Sequence, residues 1–327
     1  LSRGPILVTG AAGFIGAAVA EALLMRGDHV IGVDNLNEYY DVELKKARLD
    51  RLLSQDKFEF RRLDISDHDA MLKLAEERPE ITHIGHMAAQ AGVRYSLANP
   101  YAYVSANVMG QVVMLELARA LAGLQHFVYA SSSSVYGANK KIPFAEDDAV
   151  DEPNSLYAAT KRSDELIGQT YAHLYQIPAT GLRFFTVYGP WGRPDMAPII
   201  FAKAITNDEP INVFNHGEMW RDFTYIDDIV EGVLRALDRP PSVMPPHAIY
   251  NLGNHKSEKL TDFIAEIEKA LGKKALTIMA PMQPGDVPVT YANIEKSRRE
   301  LGFAPTIPIS TGIPKFIAWF KSYYQTA

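Results

Sequence analysis

Tyr157 and Lys161 stand four residues apart in a stretch with helical patterning, so their side chains share one helix face. A free phenol has a pKa of about 10, too high for a base at neutral pH. A neighbouring ammonium lowers it and makes the phenolate a usable general base. Upstream lies the run Ser131-Ser132-Ser133-Ser134, directly after the strand-like Phe127-Val128-Tyr129-Ala130. In open α/β sheets the ligand crevice sits at such strand ends. Hydroxyls placed there can relay a proton between a bound substrate and Tyr157.

A second constellation binds rather than reacts. Thr9-Gly10-Ala11-Ala12-Gly13-Phe14-Ile15-Gly16 follows the strand-like Ile6-Leu7-Val8-Thr9 and opens a helix. Gly10 permits the tight turn, Gly13 lets backbone approach a pyrophosphate, and Gly16 lets helix and strand pack closely. Free N–H groups at the helix start, around Phe14 and Ile15, then face the phosphates. Asp34 ends the next strand-like run, 18 residues beyond Gly16. That offset suits a carboxylate gripping an adenosine ribose, and it repels a 2′-phosphate. The pattern therefore predicts NAD rather than NADP. Asn35 beside Asp34, Asp64 and Ile65 after the third strand, and Ala88, Ala89 and Gln90 after the fourth complete the expected cofactor pocket. Ser131, Tyr157 and Lys161 close it from the catalytic side.

The elements that must position these residues follow from patterning. Short apolar runs at 6–9, 29–33, 58–61, 83–87 and 127–130 alternate with helix-like stretches at 14–26, 67–77 and 101–121. A helix over 155–175 leads to a strand over 179–184. Strands alternating with such helices predict an α/β fold with a Rossmann-type, doubly wound parallel sheet. The proline-rich stretch after residue 190, with short helices and few strands, predicts a smaller mixed α/β C-terminal substrate-binding region. The expected division is 1–190 and 191–327, with segments of about 220–255, Ala248 to Leu252 among them, returning to the first part.

Composition narrows the class. The net charge of −6 is spread along the chain, with no basic run for nucleic acid or an anionic membrane. Cysteine is absent, which removes disulfides, thiol nucleophiles and thiolate metal sites. The histidines show no metal-ligand spacing, and His83 and His86 are read as structural. No stretch approaches the ~20 apolar residues of a membrane span. No signal peptide is seen, so a cytoplasmic protein is expected; a chain starting at Leu1 leaves room for a removed N-terminal anchor.

The glycine turn, the Ser-Ser-Ser-Ser-Val-Tyr-Gly run at 131–137 and the Tyr157/Lys161 pair resemble the extended short-chain dehydrogenase/reductase family. Within it, four long runs are most similar to UDP-glucuronate 4-epimerases: Asp34 to Tyr40, Ala88 to Ser96, Arg183 to Met196 and Arg221 to Asp228. The resemblance implies that Tyr157 takes the C4 hydroxyl proton while hydride passes to NAD+, that the 4-keto sugar turns about its diphosphate link, and that hydride returns to the other face. It implies catalytic roles for Ser132, the proton-sharing hydroxyl, and Ser134. Ser133, Ser134 and Thr186 become candidate ligands of the sugar carboxylate or ring hydroxyls, with Ser132 beside them. Arg221, then Arg193, are candidates for the diphosphate, since a guanidinium fork suits phosphate oxygens. Arg94 could reach the same pocket, and Asp286 matches an acidic position near the nucleotide ribose. Gln283 stands where 4-epimerases of neutral sugars usually carry arginine, leaving one phosphate contact fewer.

Other readings stay open at this point. A UDP-glucuronate decarboxylase shares the first step, and a 4-epimerase of UDP-glucose or UDP-N-acetylglucosamine shares the whole cycle. A 4,6-dehydratase would need an acid/base carboxyl pair where Ser133 and Ser134 stand. A non-catalytic NAD-sensing protein of the same fold belongs to a different class. Helices 101–121 and 155–175 carry apolar residues beyond what one core face needs, and family members pair these helices into a four-helix bundle. A homodimer is expected.

Overall fold

The computed structural model describes residues 4–283 and 286–325; Leu1, Pro284 and Gly285 lie outside the described residues. β1 (Ile6–Thr9), β2 (Val30–Asp34), β3 (Phe58–Arg62), β4 (His83–His86), β5 (His126–Ser132) and β6 (Ala179–Phe184) form one sheet with the strand His247–Leu252. Every pairing in it is parallel. The spatial order runs from His247–Leu252 through β6, β5, β4, β1 and β2 to β3. The order reverses between β1 and β4, which is where such sheets open a ligand crevice.

Strand alternation sets the two cores. On β1, Ile6 and Val8 enter one apolar cluster with α1 (Phe14–Met25), while Leu7 enters the opposite cluster with Ile31, Ile84 and Phe127. The first cluster continues without a break to Phe316 and Phe320 near the C-terminus. The sheet is therefore covered on both faces, as its all-parallel pairing requires.

Three differences from the sequence reading have physical causes. A helix not anticipated, α2 (Val42–Leu53), joins β2 to β3 and is capped by Asp41, which accepts from the Glu43 N–H at 2.9 Å. Its buried face carries Lys45 and Arg48 as well as Leu44, Leu49 and Leu52, so apolar periodicity understates it. The stretch expected as one helix over 101–121 is helical from Pro100 to Ala120, but Val104–Met109 winds in wider π-type turns. C-terminal helices are not short: Ile226–Leu237 and Leu260–Leu271 have 12 residues each and Ile309–Tyr324 has 16, with Pro314 inside it. No helix among the described residues is long and apolar enough to cross a membrane.

Three small two-stranded pairings lie outside the main sheet. Thr186–Tyr188 runs parallel to Phe223–Tyr225, Pro210–Val213 parallel to Leu276–Met279, and Trp220–Arg221 antiparallel to Glu258–Lys259. The first of these pairings contains Thr186 and the third Arg221.

Candidate active site

The crevice is a cleft of about 340 Å³ running from the β1–α1 turn to Thr186 and Arg193. At one end the glycine turn is held by backbone geometry. Gly10 has φ +70°, and a Cβ on it would sit 2.8 Å from the Ala88 nitrogen. A Cβ on Gly16 would lie 2.0 Å from the Gly10 carbonyl oxygen, so only glycine allows this turn to close on its helix. α1 begins at Phe14 with no side-chain cap and no acidic residue in its first turn. Its free N–H groups and positive dipole end thus face the cleft beside Gly13, Phe14 and Ile15.

The carboxylates at this end are fixed from behind. Asp34 accepts from Ala12 N–H at 3.1 Å on one oxygen and from Leu36 N–H at 2.8 Å on the other. Each oxygen keeps a lone pair for a ligand hydroxyl. Asp64 is penalised by burial, but hydrogen bonds from Ser66 and from the Asn35 amide at 2.8 Å outweigh that and hold its pKa below the ordinary range. Thr9 Oγ1 pairs with His86 Nδ1 at 2.7 Å and accepts from the Ala88 N–H at 3.1 Å, which fixes the path of Ala88, Ala89 and Gln90. His86 is buried on β4; burial first, and Lys161 second, push its pKa down to about 3, so it stays neutral. Among the described residues no cluster of three potential ligands could hold a metal ion.

The catalytic candidates meet in the middle. Helix Leu156–Tyr175 is capped by Ser155, which accepts from the Ala158 N–H at 3.1 Å, and it presents half-buried Tyr157 and buried Lys161 to the cleft. Tyr103 meets the Tyr157 ring edge-on with centroids 6.0 Å apart. Lys161 Nζ donates to the Ala130 carbonyl and to Asp164 Oδ2, both at 3.0 Å. At the end of β5, Ser131, Ser132 and Ser133 line the cleft, but their hydroxyls differ. Ser131 Oγ donates to Glu165 Oε1 at 2.7 Å, and Glu165 is clamped by both arms of buried Arg183 at 2.8 and 2.9 Å. Ser132 Oγ accepts from the Ser134 N–H and donates to Ser134 Oγ, both at 3.1 Å. Ser134 therefore packs against Ser132 and does not line the cleft.

Of the substrate-side candidates, Thr186 and Arg193 line the cleft with Ser132 and Ser133. The Arg193 guanidinium is already neutralised by Asp195, at 2.6 and 3.1 Å, and Asp195 also accepts from the Tyr39 hydroxyl. Arg221, Asp286 and Arg94 gather at the rim outside that lining. Arg221 donates to the Trp220 and Pro288 carbonyls at 2.9 and 3.3 Å and makes no direct ion pair among the described residues. Burial pulls its pKa down, and only the charge of Asp286 opposes this. Arg94 lies 3.9 Å from Asp286 and over the Phe214 ring. Sequence reasoning passed over Lys45, Tyr39 and Asn37, which line the cofactor end. Lys45 Nζ bonds both oxygens of Asn37 at 2.6 Å. Asn37 and Tyr39 lie in the run Asp34 to Tyr40 that carries the resemblance, and Lys45 lies on the unanticipated helix α2.

This arrangement can hold a dinucleotide along the turn and present its far end to a phenol–ammonium pair. The NAD dependent epimerase/dehydratase family matches residues 6–253. The chain belongs to this family. Its full-length likenesses are consistent with that assignment. Protein CapI of Staphylococcus aureus is 47% identical, covering 98% of this chain and 99% of that protein. UDP-glucuronate 4-epimerase 4 of Arabidopsis thaliana is 48% identical over 98% of this chain and 76% of its own length. The crystal structure of the Bacillus cereus UDP-glucuronic acid 4-epimerase with UDP-glucuronic acid and NAD superposes with a TM-score of 0.91 at 36% identity, covering 98% of this chain and 100% of that one.

Proposed function

We propose that the chain is an NAD-dependent UDP-glucuronate 4-epimerase, forming UDP-galacturonate through a transient 4-keto sugar. The observation that carries this reading is the single cleft in which the glycine turn and Asp34 lead to Tyr157, Lys161, Ser132, Ser133 and Thr186. The cofactor end suits NAD: the uncapped start of α1 accepts a pyrophosphate, and Asp34 accepts the two ribose hydroxyls. Asp64 and Asn35 suit the adenine edge, and Lys161 the nicotinamide ribose. NAD bound there supplies the hydride acceptor, and then the donor, that inversion at C4 requires.

The chain's own residues handle the proton. Tyr157, as phenolate, takes the proton of the C4 hydroxyl, and the same phenol returns it once the ketone has presented its other face. Ser132 shares that proton through its hydroxyl, with Ser134 orienting it from behind. Lys161 keeps the phenolate accessible by its charge. A 4-keto uronate is a β-keto acid and loses CO2 when its carboxylate bond aligns with the carbonyl π system. Ser133 and Thr186, which line the cleft, keep the carboxylate out of that alignment; Ser134, the third candidate for this role, does not line it. Arg221 is the first candidate for the diphosphate, because a desolvated guanidinium without a carboxylate partner gains most from one. Arg193 and Arg94 already have acidic neighbours and come second. We assign residues 1–190 to cofactor binding and catalysis and 191–327 mainly to the substrate.

The same helices suit a homodimer. Tyr101 is 83% exposed and Leu174 60%, with Met109 and Leu166 also exposed on the two neighbouring helical segments. A two-fold contact would bury them; light scattering at micromolar concentration should give twice the chain mass, and a monomer would refute this part. For the activity, purified protein incubated with UDP-glucuronate should yield UDP-galacturonate, and Tyr157→Phe should lower kcat by about 10²–10⁴-fold with NAD retained. Full turnover in Tyr157→Phe would overturn the assignment of the base.

A further inference from the structure

Lys161 is almost wholly removed from water, and so is Asp164 one turn further along the same helix. Their charged atoms are 3.0 Å apart, and Asp164 Oδ1 has no hydrogen-bond partner. A buried carboxylate with an orphaned oxygen costs stability. Gln111 from the helix Gly110–Ala120 reaches only the Asp164 backbone carbonyl, at 3.4 Å, and the Asp164 carboxylate bonds to Lys161. The pair's contact is with the catalytic centre. Of the three N–H donors of Lys161, one goes to the Ala130 carbonyl and one to Asp164, which leaves one for the cleft.

We propose that Asp164 is a positioning residue for the proton transfer: its buried carboxylate fixes the ammonium of Lys161 beside the cleft and offsets part of the charge that Lys161 presents there. This rests on Tyr157 being the base. The other charged and titratable groups around the pair are accounted for. On the same helix Glu165 is clamped by Arg183 and Ser131 and also contacted by Arg162. On β5, burial and then the nearby Glu165 and Asp164 keep Tyr129 protonated. On β4, His86 is neutral. Asp164 itself is pushed up to about 6, chiefly by burial, with Lys161 opposing and Glu165 adding to it. Its charge is therefore present above that pH and lost below it.

The test is the pH dependence of kcat for the NAD-bound enzyme with saturating UDP-glucuronate, in wild type, Asp164→Asn and the smaller Asp164→Ser. Removing the anion strengthens the field of Lys161 at the phenol. The acid limb of both variants should move to lower pH by on the order of one unit, the effect of one charge in a partly screened interior. KM should stay within about twofold, and the wild-type curve should join the variants' below about pH 6, where Asp164 takes up its own proton. Bound NAD and the melting temperature identify a variant that has failed to fold. Limbs that coincide with wild type in every folded variant, or that move upward, overturn the proposal. Tyr157→Phe separates the two readings: if it is inactive while the limbs coincide, only the role of Asp164 fails; if it is active, the base assignment fails with it.

Discussion

The two ends of the cleft are built on different principles. At the proposed cofactor end, each candidate ligating group is held by chain close to it in sequence or in the sheet: Asp34 by Ala12 and Leu36, Asp64 by Ser66 and Asn35, Ala88 by Thr9. At the substrate end, Arg94, Arg221 and Asp286 come from distant parts of the chain and meet only through weak or indirect contacts. The first end is complete before any ligand arrives. The second carries the partly buried guanidinium of Arg221, which makes no direct ion pair among the described residues. Substitutions at the cofactor end should therefore change NAD retention and heat stability together. Those at the substrate end should change KM for the sugar nucleotide and leave stability alone.

The largest effect tests the rigid end. Gly16→Ala places a Cβ against the Gly10 carbonyl, which is backbone and cannot swing away. NAD affinity should fall roughly 10–100-fold, as overpacking of about 1–3 kcal/mol implies, with a lower melting temperature. Unchanged NAD content in the purified protein would break the comparison. Next, Arg221→Met should raise KM for UDP-glucuronate about 10-fold or more, the loss of a charge-assisted hydrogen bond, with NAD content and melting temperature unchanged. A drop in stability instead would mean that Arg221 serves the fold. Arg94→Ala should change KM by less than about threefold, since its side chain is 61% exposed and its ion pair is weak.

The smallest effect is a pH signature. The Asp64 carboxylate is held below its ordinary pKa, so its stabilising contribution is present above that ordinary value, about 4, and is lost as pH falls through the depressed one. Asp64→Asn should therefore melt slightly lower than wild type at pH 7, and the difference should vanish in acid. Thermal scans across that range would show it; a constant difference would mean the charge is not what matters.

The same contrast explains what the sequence disclosed. The cofactor end was legible because one local backbone conformation demands Gly10, Gly13 and Gly16 in a fixed order, followed by an acid at the next strand end. β6 matches the expected Ala179–Phe184 residue for residue, although it is not purely apolar: Thr180 and Arg183 are buried in it beside Ala179, Leu182 and Phe184. α2 was hidden because Lys45 and Arg48 occupy its buried face. Arg48 is fully buried, and its guanidinium is satisfied by the carbonyls of Ala12, Trp191 and Gly192 and by the Tyr40 hydroxyl. No pattern of apolar residues announces such a helix. Arg221, Arg94 and Asp286 at the rim were named only through the family resemblance, because spacing along the chain carries no information about which distant arginine lacks a counter-ion. Asp164 was visible as an acid three residues after Lys161, but its burial was not.

In the proposed reaction, configuration at C4 is inverted by removing a hydride and returning it to the same carbon, with the carboxylate kept. UDP-glucuronate carrying deuterium at C4 tests this directly. Mass and NMR analysis of the product should show UDP-galacturonate with the deuterium still on C4 and the carboxylate intact. Deuterium released to water, or a UDP-pentose accompanied by CO2, would contradict the account.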